Sequence, residues 1–473
     1  MRRAAWLLLL AALLPAARAA QADLPAPLDR ALRESGLPAG GVSVSVQAVD
    51  APTPLLELDA HTPRPPASTI KLVTALAALE LLGPTHTWQT DAFLLGQLTD
   101  GVLDGDLLFR GGGDPYLTDQ ALWKFLGTLR QQGLREVRGR LLVDDRRFAP
   151  PVRGAAEFDG APSRLYNVQA NALLANFKAF DLHIAPSVDR SRIEVRAEPP
   201  LPALLVDNQL VPVDMPCSSG NARIETALPE PDTAARLVLS GRYPVRCGKT
   251  VLPRTALQSD TYFDGLFRFL WQQWGGSVDG PLGRATAPTG LAPFGTWVSP
   301  PLAEVIRPMN KWSNNAMADA LLLSIAARDA SAPATLERGA GAVREWLQAS
   351  GVGAQGFVME NGSGLSRTSR ISTATLVGML RHGWAGPYMP EFIASLPLVG
   401  MDGTARRHFK RGPERGRMHL KSGHLADVVG VGGYVLAGSG RTYAVAVLTQ
   451  GPSVGNGSGQ AFINAVLAWT YRQ

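Results

Sequence analysis

The sequence contains few residues of the kinds that bind metals or cross-link chains. Of its 473 residues, two are cysteines, Cys217 and Cys247, and seven are histidines. None of them forms a C-x-x-C, H-x-x-x-H or H-E-x-x-H pattern, so a zinc site or a metal hydrolase has no support, and we predict neither a metal nor a cofactor. The two cysteines lie in a segment rich in β-branched residues. In an oxidising compartment we expect them to form a structural disulfide.

The sequence also lacks a large excess of either positive or negative charge. Charged residues make up 18% of the chain and hydrophobic residues 45%, which is typical of a soluble globular protein. Without residues 1–22, which hold three arginines and no acid, the formal net charge falls from +6 to +3. This balance does not indicate a nucleic-acid partner.

Apolar runs long enough to cross a membrane are absent from the sequence. Arg2 and Arg3 precede an apolar stretch over residues 4–14, which is followed by a proline and small residues. This order is typical of a secretory signal peptide, and eleven apolar residues are too few to span a bilayer. We predict a signal peptide at residues 1–22 and export to the periplasm. A peripheral contact with a membrane stays open, without a transmembrane anchor.

Ser68 and Lys71 lie one turn apart at the start of a predicted helix. Prolines at 65–66 keep the approach extended, apolar residues recur at helical spacing over 72–82, and Gly-Pro at 83–84 ends the run. The two side chains therefore share one helix face. A serine hydroxyl needs a base to become a nucleophile, and a lysine can act as one if burial or a second cation favours its neutral amine. The alternative is a capped amphipathic helix with an incidental lysine.

Two further short motifs follow in the chain. Ser313-Asn314-Asn315 precedes a predicted helix, where the hydroxyl could relay a proton and the amide could hold a peptide bond; the alternative is a serine N-cap. Lys421-Ser422-Gly423 closes a predicted strand. A cation, a hydroxyl and a glycine there suit recognition of a terminal carboxylate by an edge strand.

The hydrophobic patterns predict an α+β fold in more than one domain. A strand and a short second strand precede the Ser68 helix, and three strands at 418–421, 428–436 and 442–448 precede a closing helix at 460–471. Between them, residues 86–254 consist mostly of short β-type runs broken by Gly turns, with one helix at 118–132. Helical patterns then cover 259–274, 302–310, 315–327, 334–350 and 373–384. We therefore predict a mainly β insertion at 86–254.

The three motifs in this order resemble the set found in penicillin-recognising serine enzymes. The chain is most similar to the class C low-molecular-mass penicillin-binding proteins, the D-alanyl-D-alanine carboxypeptidase and endopeptidase family of the penicillin-binding protein 4 type. The 245-residue gap between Ser68 and Ser313, the Arg110–Pro115 stretch and the Glu360–Arg367 stretch also fit that family.

The resemblance implies both an architecture and residue roles. A transpeptidase-like, β-lactamase-like domain of antiparallel sheet and helices would comprise residues 23–85 and 255–473, and the insertion would form two small subdomains. Peptidoglycan stem peptides and D-Ala cross-links would be the substrates, and β-lactams would be inhibitors. In the implied site Ser68 is acylated, Lys71 is the base and Ser313 relays a proton. The implied substrate-binding residues are Asn315, Lys421, Ser422 and Gly423. The backbone N–H groups of Ser68 and His424 would surround the oxyanion, and Asp144 would hold the free end of a diamino acid.

Two other functions are alternatives to this one. A class A β-lactamase needs an E-x-x-L-N loop to activate water, and the sequence has no Leu-Asn dipeptide. A non-catalytic wall-binding scaffold with the same fold is the other alternative, although all the proposed chemical groups are present.

Overall fold

A computed structural model describes residues 24–152, 154–218, 220, 222–229, 236–329, 333–452 and 454–473. The predicted signal peptide, residues 1–22, lies outside the described residues. None of the helices in these ranges has the length and apolar character that crossing a bilayer requires.

A five-stranded antiparallel sheet forms the centre of the domain that carries the three motifs. Valine and other small apolar residues fill its central strands, which are buried on both faces. The first strand of the chain pairs with the last, so the two ends of the described chain meet in one sheet. The strands in spatial order are Met418–Leu425, Val428–Leu436, Thr442–Gln450, Val42–Ala48 and Leu56–Leu58.

Helices cover both faces of this sheet. Ala26–Ser35 and Ser458–Tyr471 pack together on one face, over a core of valines from the sheet. The other face packs against a larger helical layer that includes the helix after Ser68. The helices of that layer are Lys71–Leu82, Leu302–Trp312, Asn315–Ala326, Leu336–Ala349, Thr373–Ala385 and Met389–Ser395. The last of these has seven residues, too few for its periodicity to be recognised in the sequence.

The insertion contains a seven-stranded sheet and two three-stranded sheets. Helices Asp119–Gln131 and Ser259–Gln273 pack on the larger sheet, whose strands are Gln89–Thr99, Val102–Gly111, Glu136–Val137, Leu141–Asp144, Ser277–Val278, Leu282–Arg284 and Gly295–Val298. One of the smaller sheets consists of Phe180–Pro186, Ile193–Glu198 and Thr250–Arg254. The other consists of Leu205–Val213, Arg223–Ala227 and Arg236–Pro244. Cys217 and Cys247 form a disulfide beside the last of these sheets.

Residues 255–298 pack with the insertion rather than with the motif-bearing domain. Phe263 and Phe267 contact Phe109 with ring centroids 5.3 and 5.5 Å apart. The strand Gly295–Val298 pairs antiparallel with Gln89–Thr99. These contacts do not follow the division at residue 254 expected from the sequence, because an amphipathic pattern does not specify which sheet a helix covers. We propose that the insertion extends from 86 to about 298.

Candidate active site

The nucleophile turn comprises Ala67–Ile70, a single 3₁₀ turn that leads directly into the helix Lys71–Leu82. Ala67 has φ +46°, a left-handed conformation that a residue with a Cβ rarely adopts. Gly364 supports this turn, since a Cβ on Gly364 would lie 1.9 Å from the Ala67 carbonyl oxygen. The turn places Ser68 half-buried at the entrance and Lys71 fully buried behind it.

The amine of Lys71 has three hydrogen-bond partners. Its Nζ lies 2.9 Å from Oγ of Ser68, 2.7 Å from Oδ1 of Asn315 and 2.6 Å from the backbone oxygen of Ser363. A neutral amine has two N–H donors and one lone pair. Because Asn315 Oδ1 and the Ser363 carbonyl accept but do not donate, a neutral Lys71 directs its lone pair at the Ser68 hydroxyl.

Burial favours that neutral amine. It lowers the pKa of Lys71 from the ordinary 10.5, and the negative charge of Asp319 opposes the shift. The sequence suggested that a second cation, Lys421, would push Lys71 toward its neutral form. In the structure it is burial that lowers the pKa of Lys71 and favours its neutral form. Lys421 is itself fully buried, and its own pKa is lowered well below 10.5 by burial and then by the charge of Lys71.

Ser313 is held in a left-handed conformation between two helices, with φ +60° and ψ +38°. The N-cap of the following helix is the neighbouring Asn314, whose side chain accepts from the Met317 N–H at 3.0 Å. The serine N-cap considered from the sequence is therefore not what this motif forms. The Ser313 hydroxyl instead accepts from Nζ of Lys421 at 2.8 Å.

The edge strand Met418–Leu425 contains the third motif inside its length, since it continues beyond Lys421, where the predicted strand ended. Nζ of Lys421 also donates to the Ser422 carbonyl at 2.7 Å, and Ser422 Oγ lies 3.4 Å from Oγ1 of Thr404. Gly423 packs against the nucleophile turn. His424, the next residue, is exposed at the rim. The structure thus brings Ser68, Lys71, Ser313, Asn315, Lys421, Ser422 and Gly423 into one connected cluster.

Asp144 is not joined to this cluster by any hydrogen bond that the described residues make. Its carboxylate pairs with Arg146 at 2.9 Å and accepts from the Ala287 N–H at 2.8 Å, inside the insertion. These contacts give the Asp144 carboxylate a structural role inside the insertion.

Asp159 is an acid of the insertion that hydrogen bonds connect to the cluster, and the sequence interpretation missed it. Its carboxylate is exposed and accepts from Tyr166 Oη at 2.7 Å and from Asn167 Nδ2 at 2.8 Å. The Tyr166 carbonyl in turn accepts from Nδ2 of Asn315 at 2.8 Å. Asp159 lies in a loop without helix or strand periodicity, so no pattern in the sequence distinguished it.

These elements define a class of protein. A serine hydroxyl beside a buried amine, a second lysine bound to a second serine, and a strand edge packed against the Ser68 turn are the groups that a serine acyl-transfer site requires. The family model of the D-Ala-D-Ala carboxypeptidase 3 (S13) family matches residues 24–473. The chain belongs to this family and is a serine-type carboxypeptidase, as its motifs predicted.

Individual relatives agree with this assignment. The chain is 27% identical over 466 residues to a D-alanyl-D-alanine carboxypeptidase of Actinomadura sp. (strain R39), covering 93% of this chain and 84% of the relative. It is 25% identical over 406 residues to the D-alanyl-D-alanine carboxypeptidase DacB of Haemophilus influenzae, covering 82% and 81%.

Solved structures share the fold. The crystal structure of penicillin binding protein 4 (dacB) from Haemophilus influenzae has a TM-score of 0.80 at 22% identity, covering 94% of this chain and 99% of that one. The Bd0816 predatory endopeptidase from Bdellovibrio bacteriovorus has a TM-score of 0.54 at 15% identity, covering 91% and 93%. The predicted α+β, penicillin-recognising fold is therefore confirmed.

Proposed function

We propose that this carboxypeptidase acts in the periplasm on peptidoglycan stem peptides, where it releases a terminal D-alanine and cleaves D-Ala cross-links through an acyl-enzyme on Ser68. The observation that carries the proposal is the 2.9 Å contact between Lys71 Nζ and Ser68 Oγ, made by a lysine with no exposed surface. A buried amine that is neutral near physiological pH can take a proton from a hydroxyl, whereas an exposed lysine is charged there.

Acylation would begin with attack of Ser68 Oγ on the carbonyl carbon of the penultimate D-alanine. As the C–O bond forms, the hydroxyl proton passes to the lone pair of Lys71. The developing oxyanion would lie between the backbone N–H groups of Ser68 and His424. Asn315 is fixed by Lys71 on one side and by the Tyr166 carbonyl on the other, which suits an amide that orients the substrate peptide.

Departure of D-alanine requires a proton on its nitrogen as the C–N bond breaks. The Ser313 hydroxyl would donate it and be reprotonated through Lys421, whose Nζ is 2.8 Å away. Lys421 and Ser422 would also bind the terminal carboxylate. Before deacylation, the proton held by Lys71 would pass to Lys421, which restores the starting protonation of both amines. Lys71 would then accept a proton from water as the water oxygen bonds to the acyl carbon, and return it to Ser68 Oγ as the ester C–O bond breaks. A β-lactam presents a carbonyl and a carboxylate to the same groups, so we expect it to acylate Ser68.

Asp159, rather than Asp144, is our revised candidate for the acid that holds the free amine of a diamino acid in the stem peptide. The hydrogen bonds that link its exposed carboxylate through Tyr166 to Asn315 support this role. Asp144 is buried and already paired with Arg146.

Purified peptidoglycan fragments test the proposal. Release of D-alanine from uncross-linked fragments and loss of cross-linked dimers, both absent in Ser68→Ala, are the expected results. A penicillin distinguishes the alternatives, since a β-lactamase would hydrolyse it with rapid turnover and a scaffold would not react. A folded wild-type protein that neither releases D-alanine nor reacts with penicillin would contradict the proposal.

A further inference from the structure

We propose that Asp319 is a positioning residue for Lys71: its carboxylate stabilises the charged amine that forms when Lys71 takes the Ser68 proton. This inference rests on the proposed role of Lys71 as the base. It concerns a residue outside the three motifs, to which the mechanism above assigns no step.

Asp319 lies where the segments that hold Lys71 meet. It is four residues after Asn315 in the helix Asn315–Ala326, so both side chains lie on one face of that helix. The loop at Gly362 packs directly on the preceding residue, because a Cβ on Gly362 would lie 2.3 Å from the Ala318 carbonyl oxygen. The next residue of the loop, Ser363, supplies the carbonyl that accepts from Lys71.

The surroundings of Asp319 satisfy its carboxylate only in part. Oδ1 of Asp319 is buried without a hydrogen-bond partner among the described residues. Burial raises its pKa, while the charge of Lys71 and the polar groups of Ser363 and Gly362 oppose the rise. A buried carboxylate with one oxygen left without a hydrogen bond is costly, and buried titratable groups of this kind concentrate at functional sites.

Lys71 is the charge that acts on Asp319. Several titratable side chains on the elements packed around this helix have partners of their own. Among the acids and phenols, Glu80 binds His382 and Trp346, Glu360 binds Ser366 and Thr368, and Tyr166 binds Asp159. Among the cations, Arg338 binds the Ala326 carbonyl at the far end of the helix, and Lys421 binds Ser313. Asp319 is therefore the charge that opposes the effect of burial on Lys71.

The charge of Asp319 has two opposite effects on the reaction. It raises the pKa of Lys71, which makes the amine a stronger base but reduces the fraction that is neutral at low pH. Replacing the carboxylate by a neutral amide should therefore move the acid limb of the acylation profile to lower pH and lower the rate on the plateau. A residue that merely supports the fold would lower the rate without moving the limb.

The test is the pH dependence of the second-order rate constant for acylation of the full chain by a fluorescent penicillin. For Asp319→Asn we expect the acid limb to shift down by about one pH unit and the plateau rate to fall about three- to ten-fold. Asp264→Asn is the matched control, because it removes a half-buried acid, paired with Arg268, from the insertion. Its profile should superimpose on that of the wild type.

A second pair of variants isolates the charge from the side-chain size. Asp319→Glu and Asp319→Gln have the same length, so the acid limb of the Gln variant should lie below that of the Glu variant. If neither amide variant folds, wild-type protein with 13Cε-labelled lysine decides, since the chain has seven lysines and Lys71→Arg identifies the Lys71 signal. That signal should titrate in two steps, one of them the titration of Asp319.

Unshifted limbs in the amide variants, or a single-step Lys71 titration, would overturn the inference. Failure of the wild type to be acylated at any pH would instead contradict the proposed function.

Discussion

Gly423 and Ser68 lie so close together that a Cβ on Gly423 would come within 2.8 Å of the Ser68 nitrogen and the Pro66 oxygen. Real Cβ atoms do not approach backbone this closely, so the edge strand reaches the nucleophile only where it has no side chain. The contact joins segments more than 350 residues apart in the chain. It sets the position of the Ser68 and His424 N–H groups, between which we place the oxyanion.

Gly423→Ala should therefore separate the edge strand from the nucleophile turn. Because misplacement of reacting groups by about 1 Å can cost roughly 100-fold, we expect acylation by penicillin to slow by about 10- to 100-fold. Gly341→Ala is the matched control, since Gly341 lies in the helix Leu336–Ala349 with nothing within 4 Å of an added Cβ. Acylation measured by stopped flow should be unchanged in the control, and equal rates in the two variants would contradict the assigned contact.

The pH profile of carboxypeptidase activity should be bell-shaped. Burial lowers the pKa of Lys71 below 10.5, so activity should rise as Lys71 loses its proton well below that pH. Lys421 must be charged to bind the substrate carboxylate, so activity should fall as Lys421 loses its proton, and its lowered pKa brings that loss below pH 10.5. Lys421→Arg keeps its charge throughout, so the falling limb of kcat/KM should disappear in this variant. A falling limb that persists unchanged would contradict the role of Lys421.

Asp159→Asn should weaken the reaction with stem peptides that carry a free amine at the third residue. Loss of the carboxylate removes a charge-assisted contact worth about 1.5–3 kcal/mol, so kcat/KM should fall about 10- to 100-fold for these peptides. Peptides with an acetylated amine should react equally with both proteins. Asp144→Asn serves as the comparison, and a larger selectivity loss in that variant would restore the original assignment.

Phe263→Ala should destabilise the insertion if residues 255–298 belong to its core. Phe263 is fully buried and its ring contacts that of Phe109, so truncation should lower the free energy of unfolding by about 3–5 kcal/mol. Leu291→Ala, at a side chain that is 44% exposed, should change it by less than about 0.5 kcal/mol. Calorimetry measures the free energy of unfolding of both variants. A similar small change in the two would mean that this helix is not part of a shared core.

The sequence was informative wherever chemistry and local pattern coincide. Ser68 and Lys71 are three residues apart, so helical periodicity alone placed their side chains on one face. The central strands, rich in valine, were recognisable from composition. The order of the three motifs then gave the family, and with it the joining of distant segments that no local pattern contains.

The remaining features depend on packing between distant segments. The helix Ser259–Gln273 is amphipathic whichever sheet it covers, so the sheet against which it packs could not be inferred. Asp144 and Asp159 both lie in the insertion, and hydrogen bonds in three dimensions distinguish them. Burial of Lys71 depends on Ser363 and Asn315, each more than 240 residues away.

Mass spectrometry of the protein after reaction with a penicillin tests the central claim most directly. We predict that one penicillin adds to the intact chain, that the modified peptide contains Ser68, and that Ser68→Ala and Lys71→Arg abolish the addition while both variants keep the wild-type circular dichroism spectrum. Modification of another serine, or undiminished acylation of folded Lys71→Arg, would contradict the assignment of Ser68 as nucleophile and Lys71 as its base.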